Sequence, residues 1–531
     1  MPTLNWVGKD KVINHHLDVP FRVLEHSYGY DNGTITSTET KSGNKIIHGD
    51  NLEALKSLLP EFEGRVKCIY IDPPYNTGNE GWVYNDNVND PKIKKWLQST
   101  VGKEGEDLTR HDKWLCMMYP RLKLLHKLLA ETGIIIIHID ENAYSFLHLL
   151  LIEIFGKNNE LGTIIWDKKN PKGDATKVSY QHESIILFAK NHLNVKDELV
   201  RKKKNAVSIL KKAEQLFSKI GKTQYPDDLA DVVKKYNLSK DLLEERAIKV
   251  DLDIVNKDFR QWIKKQDFSG GETAYNTIDE KGNVFQSVSM GWPNKQKAPD
   301  EYYIPLTHPI LNKPCPVPDR GWRFPPKSMD DLLKNDEIIF GKDETTQPRR
   351  KYILKNNMNE NISSVIRFGG SDDKFQTEIG IKFENPKPFA FTNELLSYFT
   401  KDDDIILDSF AGSGTTGHSV LNLNQEDKQN RKFILVEMMD YAETTTAERV
   451  KRVINGYRAT EGIAGGFDFY TLGERVLDDE HNLNSNLVFI KFINIYGIQK
   501  HIHHTLTKPP HMAIWGNLIT QVFIFITNLM K

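Results

Sequence analysis

The apolar and polar positions of the chain alternate between two periods. "NKIIHGD" (44–50) is a short apolar run ending in Gly49 and Asp50, and it predicts a strand. Leucines at 52, 55, 58 and 59 then recur at helical spacing, with Asp50 or Asn51 placed to cap the helix. "RVKCIYID" (65–72) predicts the next strand. A polar stretch leads to "RHDKWLCMMYPRLKLLHKLLAETG", whose Leu122, Leu125, Leu128 and Leu129 mark one helical face. Pro120 is expected at a helix start or kink, and Gly133 as the stop. "IIIIHID" (134–140) is continuously apolar, as in a strand covered on both faces. "ENAYSFLHLLLIEIFG" reads as a helix. The runs 161–169 and 182–190 lack a helix-length gap, so they predict a hairpin and one antiparallel edge strand.

Strands alternating with helices predict an α/β fold with a mostly parallel, doubly wound sheet. The pattern breaks in the middle of the chain. Residues 197–264 are rich in Lys and Glu and read as helical, while 265–350 are rich in Gly, Pro and aromatics. This stretch is expected to be a separate inserted domain. The sheet pattern returns with "DDDIILDSF" (402–410), a glycine turn opening a helix, and "RKFILVEM" (431–438).

Bulk properties change this picture little. The 531 residues carry a formal net charge of −1, with 39% hydrophobic and 27% charged residues, which fits a soluble globular protein of two or three domains. A near-neutral sum gives no sign of nucleic acid and does not exclude it, because binding depends on local patches. The three cysteines, Cys68, Cys116 and Cys315, are far apart and fit neither a disulfide framework nor a four-ligand zinc site. No His/Asp cluster argues for a metal. The opening "MPTLNWVGKD" lacks the features of a signal peptide, so a cytoplasmic location is expected.

Two motifs carry chemistry. In "DSFAGSGTTGHS", Gly412, Gly414 and Gly417 fit G-x-G-x-x-G between a strand and a helix. Glu437 ends the next strand, where an acid suits a ribose hydroxyl pair. The motif lacks the lysine of a phosphate loop; NAD and S-adenosylmethionine both remain open on its residues alone. The second motif, "DPPYN" (72–76), ends a strand and discriminates between them. Hydride transfer has no use for it, whereas methylation of an exocyclic amine does. Asp72 can accept one amine hydrogen and the Pro73 carbonyl the other. Pro73 and Pro74 restrict the backbone, and Tyr75 can stack on a flipped base. The residues alone do not choose between adenine N6 and cytosine N4.

Together these motifs resemble those of amino-methylating DNA methyltransferases. Catalytic motif before cofactor motif, with the recognition region between, resembles the circularly permuted beta class. The context "IHGDNLEAL…IYIDPPYNTGNEGWVYNDNVN…RHDKWLCMMYPRLKLL" is similar to the modification subunit of type III restriction-modification systems. The resemblance covers roughly residues 40–475. It implies a Rossmann-like, S-adenosylmethionine-dependent methyltransferase fold in two parts. Residues 1–190 would carry the catalytic motif and 361–480 the cofactor motif, with a target-recognition region at 191–360 and an atypical tail at 481–531.

The resemblance also implies roles. Asp72, Pro73, Pro74 and Tyr75 would form the catalytic loop. Asp408, Phe410, Ala411, Gly412, Ser413, Gly414 and Thr415 would line S-adenosylmethionine, and Glu437 would take its ribose. Asp50 resembles the acid beside the cofactor's adenine, and Lys387 of "NPKP" (385–388) belongs to a motif contacting its methionine part. Asp at the first motif position implies adenine N6. Implied partners are double-stranded DNA, a second copy in a homodimer, and a separate helicase-nuclease restriction subunit.

Blander readings stand beside these roles. Asp50 can be only a helix cap, Lys387 a surface lysine, and Asn76 a support for the turn. Trp82 and Tyr84 can contact DNA or pack a lid. His138 reads as a core histidine. The basic stretches Arg201–Lys204 and Arg349–Lys351 are candidates for phosphate contacts or simply solvated faces. "HMAIWGNLITQVFIFITNLM" holds no charged Asp, Glu, Lys or Arg, but its Gln, Asn, His and Thr argue against a membrane span. A packed β-rich segment or an altered reading frame is expected there. The tail motivates an alternative, a catalytically impaired DNA-binding specificity subunit.

Overall fold

The computed structural model describes residues 3–76, 107–169, 178–195, 200–224, 227–237, 241, 247–268, 270–370, 372–383, 386–477 and 484. Trp82, Tyr84 and all of the 481–531 tail except Asn484 lie outside these residues. Two compact units divide the chain: Met1–Leu199 with Ile362–Lys531, and Val200–Asn361.

The larger unit is built on an 11-stranded sheet. Across it the strands run Val365–Arg367, Glu160–Asp167, His182–Ala189, Leu129–Ile139, Val66–Ile71, Ile405–Asp408, Lys432–Glu437, Lys45–His48, Gly466–Arg475, Arg22–Asp31 and Thr34–Thr36. The six strands from Leu129–Ile139 to Gly466–Arg475 pair in parallel. Val66–Ile71 shows why the centre reads as continuously apolar: all six of its residues are buried. Ile69 and Ile71 join one core with Leu55, Leu122 and Leu147 of the helices Asn51–Phe62, Asp107–Leu128 and Tyr144–Phe155. Cys68 and Tyr70 join the opposite core with Leu395, Val420 and Val453 of the helices Phe389–Phe399, Thr415–Asp427 and Glu448–Asn455. Successive side chains leave opposite faces of a strand, so one six-residue run serves both layers. The α/β, doubly wound expectation therefore holds.

Three local expectations change. The strands Glu160–Asp167 and His182–Ala189 do pair antiparallel, but neither is an edge. His182–Ala189 sits between Leu129–Ile139 and Glu160–Asp167, and Val365–Arg367, arriving from beyond the insertion, pairs outside them. Gly133 does not stop a helix. The helix ends at Leu128 and the strand begins at Leu129, where pairing with Val66 captures the chain before a register shift. A Cβ on Gly133 would lie 2.8 Å from the Ala130 carbonyl oxygen, so glycine suits this bulged start. Of the two placements expected for Pro120, a helix start and a kink within the helix, the first does not hold, since it lies inside Asp107–Leu128.

The N-terminal strand Arg22–Asp31 was not read from the sequence. It pairs antiparallel with Gly466–Arg475, the strand of "GFDFYTLGE". Among the described residues no helix is long and apolar enough to cross a membrane.

The second unit has its own core. Ile209 and Ala213 of the helix Ala206–Phe217 pack with Val255 and Phe259 of Leu252–Lys264. Asn256 ties this pair to a four-stranded antiparallel sheet, accepting from the Ile278 N–H at 2.7 Å and donating to its carbonyl at 3.0 Å. A second cluster gathers Met290, Trp322, Met329 and Leu332.

Candidate active site

The central observation is a pairing. Val66–Ile71, which delivers Asp72, lies directly beside Ile405–Asp408, which delivers the glycine loop, with Cys68 opposite Ile406 and Ile69 opposite Leu407. The chain leaves these two parallel strands in opposite directions. From Asp72 it proceeds to Leu129–Ile139 on one side; from Asp408 it proceeds through Thr415–Asp427 to Lys432–Glu437 on the other. This is the switch point of an open α/β sheet, where the carboxyl ends of the strands leave a crevice. Two motifs separated by more than 300 residues thus open at one place.

The acidic turn is held from several sides. The Trp114 indole donates to the Pro74 carbonyl at 2.7 Å. Asn76 is fully buried at a positive φ of 62°, and its amide nitrogen meets His111 Nδ1 at 2.6 Å. That conformation is one asparagine tolerates better than most residues, so Asn76 supports the turn. No described residue donates to the Pro73 carbonyl. Asp72 Oδ2 pairs with Lys387 Nζ at 3.0 Å, while Asp72 Oδ1 is buried without a hydrogen-bond partner among the described residues.

Lys387 is no surface lysine. Its ammonium also donates to Tyr75 Oη at 2.6 Å and to Glu183 Oε2 at 3.0 Å. The Tyr75 hydroxyl in turn donates to Glu183 at 3.1 Å. Burial works against the Lys387 charge, but Asp72 and Glu183 outweigh it and raise its pKa above the usual lysine value. Burial would likewise raise the Glu183 pKa; Lys387, His138 and Lys168 together drive it well below the carboxylate range. Burial, then Asp72 and Glu183, push the Tyr75 phenol well up, so it stays protonated. His138 is buried beneath, 3.9 Å from Glu183, and burial lowers its pKa. It is a neutral core histidine, edge-on to Tyr70.

The glycine loop uses its polar groups on itself. Asp408 accepts from the Phe410 N–H at 3.0 Å and the Thr416 hydroxyl at 2.6 Å. Burial pushes its pKa up to about 7 despite those bonds. Ala411 donates its N–H to the Val436 carbonyl at 3.1 Å. Buried Arg449 donates to the Ser413 and Thr415 hydroxyls at 3.1 and 2.8 Å. Gly412 and Gly414 have φ of 50° and 77°. A Cβ on Gly414 would lie 2.8 Å from the Thr446 carbonyl oxygen, and one on Gly412 would lie 3.2 Å from the Phe383 ring. Glycine is needed at both, on backbone conformation and on space. Glu437 is 1% exposed, and its carboxylate accepts from the Gly412 N–H at 2.8 Å and the Met439 N–H at 3.0 Å. After Glu437 the chain makes a π-helical turn, Ala442–Ala447, from which Thr446 donates to the Gly412 carbonyl at 2.6 Å. Such turns recur at functional sites.

Asp50 does cap its helix, accepting from the Leu52 and Glu53 N–H groups. Its Oδ2 is buried, 3.6 Å from the Arg121 guanidinium. Asn51 links the neighbourhood to the glycine loop by donating to the Ser409 carbonyl at 3.1 Å.

A model of the DNA methylase family, N6_N4_Mtase, matches residues 66–448. The chain belongs to this family of DNA methylases. It is 32% identical over 456 residues to the type III restriction-modification enzyme EcoP15I Mod subunit of Escherichia coli, over 82% of this chain and 64% of that protein. It is 29% identical over 419 residues to the StyLTI Mod subunit of Salmonella typhimurium, over 75% of this chain and 53% of that one. The type II methyltransferase M.KpnI of Klebsiella pneumoniae is 26% identical over 408 residues, 75% of this chain and 81% of that one. The chain spans less than two thirds of the length of both of these Mod subunits.

The sequence did not single out Glu183, Trp114, Thr446 or Arg449. For Glu183 a signal existed: it is the charged residue opening the apolar strand "HESIILFA". Because that strand runs antiparallel to its neighbour, its first residues lie at the carboxyl end of the parallel strands. The basic candidates in the second unit are largely engaged internally. Arg201 pairs with Glu360 at 2.8 Å, Arg350 with Glu337 at 3.0 Å, and Lys351 with Asp279 and Asp336, each at 3.3 Å.

Proposed function

We propose that this methylase transfers a methyl group from S-adenosylmethionine to adenine N6 of a base flipped from duplex DNA. We further propose that it serves as the modification subunit of a type III restriction-modification system. The observation that carries the reading is the adjacency of the acidic turn and the glycine loop at the switch point. Its likeness to Mod subunits supports the system assignment.

The residues fit the cofactor. Gly412 and Gly414 hold the loop in a positive-φ turn packed closely on Phe383 and Thr446, and Asp50 Oδ2 is a buried acceptor without a hydrogen-bond donor among the described residues. Glu437 accepts from the Gly412 and Met439 N–H groups, with Met438 and Tyr441 also bonding to its carboxylate, and its position at the strand end suits a ribose hydroxyl. Phe410, Ala411, Ser413, Thr415 and Asp408 shape or anchor this loop, and Lys387 bridges toward the turn. S-adenosylmethionine supplies an electrophilic methyl on a sulfonium.

The chain's own work falls to the turn. The adenine amine is a poor nucleophile because its lone pair is delocalised into the ring. Asp72 Oδ1 and the Pro73 carbonyl are two acceptors for its two hydrogens, and they favour the positive charge that develops on nitrogen. Pro73 and Pro74 keep the carbonyl aimed, and Tyr75 offers a ring face to the base. Asp rather than Ser at position 72 supports adenine N6 over cytosine N4.

Double-stranded DNA is the substrate, the insertion reads the target sequence, and the partners are a second copy and a helicase-nuclease subunit, in the cytoplasm. Tritium transfer from labelled cofactor to DNA, followed by nucleoside analysis, tests the reading. Label in N6-methyladenine is the expected result. Absence of label on DNA containing the cognate site contradicts it.

A further inference from the structure

Among the described residues, three polar side chains at the acidic turn converge on one ammonium. Lys387 has three N–H donors, and three acceptors lie around it: Asp72 Oδ2 at 3.0 Å, Tyr75 Oη at 2.6 Å and Glu183 Oε2 at 3.0 Å. Its position relative to Tyr75 is informative. The nitrogen is 2.6 Å from the hydroxyl and 4.9 Å from the ring centroid, so it holds Tyr75 at the hydroxyl end rather than over the ring centre. Glu183 is the common anchor. It binds Lys387 and the Tyr75 hydroxyl through Oε2, and Lys168 through Oε1.

We propose that Glu183, acting through Lys387, is a positioning residue for methyl transfer. It fixes Tyr75 by its hydroxyl and Asp72 by one oxygen, which leaves the ring face and Asp72 Oδ1 for the target base. This inference rests on the methyltransferase reading above and assigns Lys387 to the turn. A second consequence is electrostatic. The reacting amine becomes positive as the methyl arrives, and a bare ammonium near Asp72 would oppose that charge. Glu183 offsets it. Among the described residues, the titratable groups in contact with Lys387 are Asp72, Tyr75 and Glu183, and those in contact with Glu183 are Lys387, Lys168, His138 and Tyr75.

The test is Glu183→Gln, which keeps shape and removes charge. Transfer kinetics use labelled S-adenosylmethionine and genomic DNA from a host that lacks this protein, with cofactor affinity measured separately. The wild-type chain is the control for the functional reading: no transfer by it sinks that reading. Given wild-type transfer, the variant is expected to lose about 10–100-fold in kcat with cofactor affinity kept within about twofold. Its alkaline limb is expected to move to lower pH, because Lys387 loses one of the two counter-charges that raise its pKa. Unchanged kcat, or weakened cofactor binding with kcat and the alkaline limb unchanged, overturns the inference and leaves the reading standing. Should the variant fail to fold, Lys387→Gln decides by the same split: lost kcat with retained cofactor affinity supports the inference, and the reverse overturns it.

Discussion

The acidic turn and the glycine loop end neighbouring strands, yet they spend their polar groups in opposite ways. The glycine loop is largely self-satisfied. Asp408, Ser413 and Thr415 all bond within the loop or to the helices behind it, and Gly412 is tied at both its N–H and its carbonyl. Among the described residues, the turn instead leaves acceptors without a donor at Asp72 Oδ1 and Pro73. A surface that receives a cofactor needs a fixed backbone shape, whereas a surface that meets a reacting amine needs unspent acceptors. On the proposed reading one crevice would hold both, because the strand order turns there.

The largest way to break this contrast is Asp72→Ala. Transfer should fall by about 10²–10³-fold or more, with cofactor binding retained in equilibrium dialysis. Equal loss of cofactor affinity would merge the two regions into one function. Gly414→Ala should do the reverse. At a φ of 77° with Thr446 close by, it is expected to cost roughly 1–2 kcal/mol in stability and weaken cofactor binding before it touches the chemical step. Calorimetric unfolding and cofactor titration read both.

A subtler difference lies in pH. The folded Asp408 pKa, about 7, stands above its ordinary value of 3.8, because burial disfavours the charge. The folded state therefore holds this proton to higher pH than the unfolded chain. Its contribution to stability is present at low pH and is lost as pH rises from about 4 to about 7. Asp408→Asn should flatten that part of the stability profile, measured by denaturant unfolding at several pH values, while Asp72→Asn leaves it in place.

The sequence exposed the turn and the loop because each is a run of special residues: prolines, glycines and acids where a strand ends. It exposed the central strands because burial on both faces makes them continuously apolar. What stayed hidden depended on pairing across distance. Arg22–Asp31 has no decisive alternation, and its place comes from Gly466–Arg475. Glu183 acquires meaning only once its strand runs antiparallel and brings its first residues to the site. Lys387, read as either a cofactor contact or a surface lysine, is a buried bridge. Arg350, in a basic run read as phosphate contacts or a solvated face, pairs with Glu337, a partner that the run itself does not show.

The smallest expected effect follows from that pairing. Arg350→Gln should change the salt slope of DNA binding by less than about one unit, with its cost appearing in stability instead. Fluorescence anisotropy across a salt series checks it.

The most direct test of the central claim, that turn and loop form one amine-methylating site, is mass-spectrometric nucleoside analysis. DNA would be incubated with S-adenosylmethionine and either the wild-type chain or Asp72→Ala. The account predicts N6-methyladenine with the wild type and at most a trace with the variant. N4-methylcytosine as the product, or equal N6-methyladenine from both proteins, would contradict it.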